Sequence, residues 1–199
     1  MNAGATRNHH WQLMMATVMG VKGMSSWRRR SILRWEIAGT ITTVLLGSLF
    51  HFVYEWTGNA RVAGAFFPVN ESVWEHLKLG FWPVILFGLA ERRYLKAAAV
   101  WAAKAVAVYV IALSTVLLFY TYVAVLGRNL LVLDILIFVV SAVAGHVASY
   151  RIIKSGDVPN PWRVVATVAL VAAMVALIAF TFRPPHLPIF RSPQGTYGI

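Results

Sequence analysis

The stretch Ile37-Ala38-Gly39-Thr40-Ile41-Thr42-Thr43-Val44-Leu45-Leu46-Gly47-Ser48-Leu49-Phe50-His51-Phe52-Val53-Tyr54 decides the fold class. It carries no formal charge apart from the one His51 can take, and it follows Trp27-Arg28-Arg29-Arg30 and Arg34. A run of this length and apolarity crosses hydrocarbon as a helix, and the arginines before it place its start on the cytoplasmic side. The rest of the chain has the same character. Of 199 residues 59% are apolar and only 13% charged, with a mean hydropathy of +0.66. That leaves too little polar surface to cover a soluble globule of this size.

Working outward, further runs span 72–94, 97–126, 130–150 and 164–182. The expected fold is therefore an all-α membrane protein, a bundle of about five transmembrane helices (37–55, 72–94, 97–126, 130–150, 164–182). A basic segment, interfacial or disordered, precedes it at 1–33, and a Pro-rich tail follows at 183–199. In the second helix Ser72 and Glu75 have capping-box spacing, and the apolar part, Leu79 to Ala90, is short. Its polar first turn belongs in a protein-lined site and not against lipid. Lys104 in the third helix lies near enough to Arg92, Arg93 and Lys96 to snorkel toward them. His146, with Ser149 and Tyr150 a turn away, reads as a satisfied structural histidine. His9 to Met19 is too short to span and reads as an interfacial helix. Met24 is an alternative start, which would make 1–23 an extension.

Charge sets the orientation. Arg28, Arg29, Arg30, Arg34, Arg92, Arg93, Lys96, Arg151, Lys154 and Arg163 fall on one side, against Arg61, Lys78, Arg128, Arg183 and Arg191 on the other. The N-terminus is then cytoplasmic, the tail extracytoplasmic, and the protein multi-pass in the cell (cytoplasmic) membrane with lipid as its surroundings. The net charge of +11 does not point to nucleic acid, because the basic residues sit at the ends of apolar runs. No cysteine is present, which excludes disulfides, thiolate metal sites and thiol nucleophiles.

Ionisable groups at membrane depth are costly, so a cluster of them is a functional hypothesis. Glu55, Glu71, Glu75 and Asp134 all fall in the outer half, with His51, His76 and His186. His51 and Glu55 share a helix face at i, i+4 spacing, and Ser72, Glu75 and His76 form one helical turn. The metal reading makes His51, Glu55, Glu75 and His76 ligands of a divalent ion such as Zn, with Glu75 or Asp134 as general base. Asn70, Glu71, Ser72 and His186 are further site candidates. The bland alternative is a solvated capped turn with local ion pairs between Glu71, Glu75 and Lys78. The tail from Arg183, stiffened by Pro184, Pro185, Pro188 and Pro193 yet bearing Ile189, Phe190 and Tyr197, is expected to fold across the outer mouth.

His51-Phe52-Val53-Tyr54-Glu55-Trp56, then Phe67-Pro68-Val69-Asn70-Glu71-Ser72-Val73-Trp74-Glu75-His76-Leu77-Lys78, and the ending Pro184-Pro185 through Phe190 to Gly195-Thr196-Tyr197-Gly198 carry a resemblance. From about residue 34 to 199 the chain resembles a family of small prokaryotic membrane proteins of unknown function. The resemblance implies a membrane fold and no particular reaction. Ser192 stands where an acidic residue is expected from it, which weakens position 192 as a ligand.

Three functions compete. The first is a membrane-embedded metal-dependent hydrolase acting on a lipid-like substrate; no G-x-S-x-G or H-E-x-x-H stretch backs it. The second is a small transporter or binding protein for a cation, a proton or a small polar solute, with Gly80 and Pro83 as a hinge. The third is a subunit of a larger membrane assembly.

Overall fold

The computed structural model describes residues 26–95 and 97–199, so the interfacial helix expected at His9 to Met19 lies outside the described residues. The packing that follows is that of residues 32–199, which form one compact unit. The helices are α1 (Ser26–Trp56), the one-turn α2 (Arg61–Gly64), α3 (Val73–Leu95), α4 (Val100–Leu126), α5 (Leu131–Ser155) and α6 (Asn160–Phe182), followed by a 3₁₀ turn at Pro188–Phe190. No strand occurs among the described residues; Arg191 and Tyr197 form an isolated bridge in the tail.

Local chemistry ends each helix. After α1, Gly58 and Asn59 take positive φ of 66° and 59°, and their N–H groups return to Glu55 O and Tyr54 O. Gly127, with φ of 69°, closes α4 by donating to Val123 O at 2.8 Å. Pro161 stands in the first turn of α6, where its missing N–H has no partner to lose. The connections are short, so successive long helices run antiparallel. Two ends of the bundle result: a tail end, carrying Trp56, Val73, Leu126, Leu131 and Phe182, and a basic end, carrying Leu95, Val100, Ser155 and Asn160.

α1 opens at Ser26, not near 37. Hydropathy marks the stretch that suits hydrocarbon, whereas a helix can continue through arginines at its end, so 26–33 are helical. Four helices, α1, α4, α5 and α6, are long and apolar enough to cross a membrane. α3 has 23 residues, but Glu75, Lys78, Glu91, Arg92 and Arg93 set it apart from those four in composition.

The burial pattern is inverted relative to a soluble protein. Lys78, Lys104, His146, Glu75 and Glu91 are among the largest fully buried side chains, while Leu45, Leu113, Leu117, Val125, Leu131 and Val168 are exposed. Apolar groups outward and charges inward fit a molecule solvated by lipid. Small residues let the helices touch: a Cβ on Gly145 would lie 2.8 Å from Ala107 O, and one on Gly47 would lie 2.6 Å from Leu79 O and from the Phe138 ring. Phe81, Val84, Ala107, Val108, Ile111 and Leu177 pack around α3 and α4 as the apolar core.

Lys104 does not snorkel. Its ammonium is fully buried, 3.0 Å from Glu36 Oε1 and 2.5 Å from Glu91 Oε2. Two carboxylates within the bundle are nearer partners than the basic end, and they hold it there.

Candidate metal centre

The tail end carries two polar groupings, and the stretch Phe67 to Lys78 contributes to both. Pro68 leads the chain out of the loop, and Asn70 Oδ1 accepts from Ser72 N at 2.9 Å, turning the backbone toward α3. Ser72 Oγ then accepts from Glu75 N at 3.3 Å as the N-cap. The reciprocal half of a capping box is missing, because Glu75 Oε2 takes Val69 N at 3.1 Å instead of the cap's own N–H.

That choice separates Glu75 from its neighbours. Its carboxylate is buried and lies 2.6 Å from Lys78 Nζ, and its other oxygen accepts from Thr181 Oγ1 at 2.9 Å. Lys78 also donates to Gly64 O at 2.7 Å and Thr181 Oγ1 at 2.6 Å. Glu75 is therefore saturated inside a clamp joining the loop, α3 and α6, and it is not turned toward the histidines as a ligand or base. The tail seals this clamp. Ile199 N donates to Thr181 O at 3.0 Å, Asn70 Nδ2 donates to Gly198 O at 3.2 Å, and Gly198, with φ of 54°, lies against Thr181 O where no side chain fits. Phe190 is buried between Trp74 and Phe180, with ring centroids 4.7 and 5.5 Å away. Ser192 Oγ accepts from Thr196 N at 3.0 Å and closes the tail's own turn.

The second grouping faces outward. His51, six residues from the end of α1, and His76, in the first turn of α3, stand with ring centroids 5.2 Å apart. Glu71 lies between them, 3.4 Å from His51 Nε2 with one oxygen and 3.4 Å from His76 Nε2 with the other. One donor atom from each of the three falls within 4.8 Å of the others. Nδ1 of His76 lies 2.8 Å from Ser72 O, a contact made by a ring N–H, which leaves Nε2 as the nitrogen aimed at Glu71. Contact with the His51 and then the His76 imidazole holds the Glu71 carboxyl well below the usual carboxylate range, against a smaller opposing effect of burial.

The donor spacing suits a metal. Bonds of about 2.1 Å at the tetrahedral angle put neighbouring donors about 3.4 Å apart. Each imidazole already lies at this distance from one Glu71 oxygen, and with all donor pairs within 4.8 Å none needs to close by more than about 1.4 Å. The side chains keep 30% (His51, His76) and 52% (Glu71) of their exposure, so the outward side of such an ion is open.

Of the candidates from sequence, the structure thus brings together His51, His76 and Glu71. Glu55, a turn beyond His51, is exposed and has no partner among the described ion pairs, because Glu71 has taken its place against the imidazole. Asn70 and Ser72 shape the loop. Asp134 accepts a hydrogen bond from Tyr122 OH, and His186 lies against Tyr197 with ring centroids 4.8 Å apart and planes tilted by 40°. An apolar groove of about 560 Å³, lined by Ala102, Val106, Tyr109, Leu113, Trp162 and Val165, opens between α4 and α6 toward the basic end and not at the triad.

Sequence reading missed a third polar grouping, Glu36, Glu91, Lys104, His146 and Ser149, buried toward the basic end. A signal was present: Ile32, Glu36, Gly39, Thr43 and Gly47, spaced three or four apart, are the buried face of α1, so the acid lies on the same stripe as the small residues.

No curated protein and no solved structure matches the chain. Residues 24–199 match one family, described only as a family of unknown function (DUF6512), and the chain belongs to it.

Proposed function

We propose that this is a multi-pass protein of the cytoplasmic membrane that binds a divalent transition metal at its outer face through His51, Glu71 and His76, and that the ion activates water against an amphiphilic substrate at headgroup level. α3 is then a fifth crossing, tolerated in lipid because Glu75 and Lys78 pair with each other inside the bundle. The excess of Arg and Lys at the basic end supports a cytoplasmic position for that end.

The observation that carries the reading is the set of three donor atoms within 4.8 Å, exposed on one side. Three protein ligands with an open position suit a catalytic ion better than a structural one. Such an ion would supply a bound water of lowered pKa, and Asp134 is our candidate for the carboxylate that accepts its proton. Passage of a cation through the bundle is the lesser reading, because below the triad α1 closes on α3 at Gly47 and Leu79 O.

The test is metal content and binding heat of the protein purified in detergent, with Zn²⁺ as probe, followed by hydrolysis of ester and phosphoester lipids in vesicles. One ion per chain is expected, with affinity falling at least 10- to 100-fold in Glu71→Ala and His76→Ala. Wild-type protein that binds no ion would overturn the site. Stoichiometric binding without turnover of any lipid ester would overturn the hydrolytic step and leave the ion site standing.

A further inference from the structure

We propose that Glu36, Glu91, Lys104 and His146 form a proton-binding site inside the bundle, holding one exchangeable proton for which Glu91 and His146 are alternative seats. It shares no residue with the metal triad and stands independently of that reading.

All four side chains are nearly excluded from solvent, with 3% exposure for Glu36, 2% for His146 and none for Glu91 and Lys104. They come from four helices, α1, α3, α4 and α5, and the hydroxyls of Thr43 and Ser149 complete the set. Glu36 is saturated. Its Oε1 receives Lys104 at 3.0 Å and Ser149 Oγ at 2.5 Å; its Oε2 receives Lys104 at 3.1 Å and His146 Nδ1 at 2.6 Å. Four hydrogen bonds from three donor groups on one carboxyl fix it as the ionised carboxylate.

Glu91 is the opposite case. Its Oε2 lies 2.5 Å from the Lys104 ammonium, and beyond that ion pair neither oxygen has a hydrogen-bond partner among the described residues. One ammonium thus faces two carboxylates. With a neutral imidazole the cluster carries one net negative charge in a place closed to solvent, with no further cation in contact among the described residues. A buried charge of that kind is strongly unfavourable and is removed by taking up a proton.

Two positions can accept it. On Glu91 the proton converts a buried carboxylate, paired only with the ammonium that Glu36 also holds, into a neutral carboxyl. On His146 it goes to Nε2, since Nδ1 already donates to Glu36. Nε2 lies 3.0 Å from Thr43 Oγ1, a hydroxyl that donates to a neutral ring or accepts from a charged one, so either state is hydrogen-bonded without rearrangement. The ring is held in register by Gly39, where a Cβ would lie 2.6 Å from its Cε1 atom. Glu36 and Lys104 connect the two seats, each touching the next group along the path.

The measurement is infrared spectroscopy of the full chain in detergent, following the C=O stretch of a protonated carboxyl against pH. Wild-type protein is expected to show one such band near neutral pH that is lost on alkaline titration. Glu91→Gln, which keeps the shape of the acid, abolishes it. His146→Gln removes the second seat and keeps or strengthens it. Glu36→Gln discriminates most sharply: it cancels one negative charge, so Glu91 ionises and its band disappears, whereas an acid protonated only by its local burial would keep it. A wild-type spectrum without a titrating carboxyl band, a band that survives Glu91→Gln, or one that survives Glu36→Gln in protein with native helix content overturns the proposal. Glu71→Ala leaves the band unchanged if the two sites are separate.

Discussion

Replacing Lys78 by Met tests the clamp at the tail end most directly. Methionine fills a similar volume but removes the ammonium that Glu75, Gly64 O, Phe67 O and Thr181 share. Glu75, 1% exposed, is left as a buried carboxylate with only Val69 N–H and the Thr181 hydroxyl. Removing one partner of such a pair costs about 3–5 kcal/mol. For a chain of this size that lowers the melting temperature by roughly 6–20 °C. Adding Glu75→Gln to Lys78→Met takes away the stranded charge, so the double variant should recover about 1–3 kcal/mol relative to Lys78→Met alone. Thermal unfolding in one detergent, followed by circular dichroism, reads all three proteins. A Lys78→Met shift under about 4 °C would refute the reasoning, as would a double variant less stable than Lys78→Met, because either result means the buried charge is not what the lysine neutralises.

Two further outcomes follow from contacts described above. Gly47→Ala sets a methyl against the backbone of Leu79, which cannot swing aside, so the overpacking loss of about 1–3 kcal/mol should exceed the roughly 1 kcal/mol that alanine gains within a helix; an unchanged melting temperature would show that α1 and α3 can part there. Glu71 is held ionised in the folded state, so its stabilising effect is present above the ordinary carboxyl pKa of about 4.3 and fades as pH falls below it. Being about half exposed, it contributes no more than about 1 kcal/mol. In metal-free protein the melting temperature of wild type should therefore exceed that of Glu71→Gln near neutral pH and converge with it in acid; a gap that widens in acid contradicts the sign.

The helical architecture was legible because lipid imposes it: runs such as Ile37 to Tyr54 and Val164 to Phe182 admit no other state in hydrocarbon. The polar interior was legible only by region. His51 and His76 were found from spacing, but Glu55 and Glu75 were assigned beside them because i, i+4 and i, i+3 neighbours are what a sequence displays. The loop instead delivers Glu71, and Glu75 follows the buried Lys78, a choice made by the packing of α6 a hundred residues later. Lys104 shows the same limit. Its distance along the chain from Arg92 suggested snorkelling, whereas its partners, Glu36 and Glu91, come from two other helices. Pairings across helices leave no local pattern, and α1's stripe of Glu36, Gly39 and Thr43 was the one hint available.

The link between Lys78 and Thr181 spans 103 positions, and this separation constrains biogenesis. At about 5–20 residues per second, a ribosome makes Thr181 roughly 5–20 s after Lys78. During that interval α3 has emerged with its ammonium and carboxylate lacking the hydroxyl, and later the Ile199 strap, that enclose them. The clamp around Glu75 and Lys78 therefore cannot close until α6 and the tail have been made, long after the helix that carries both charges.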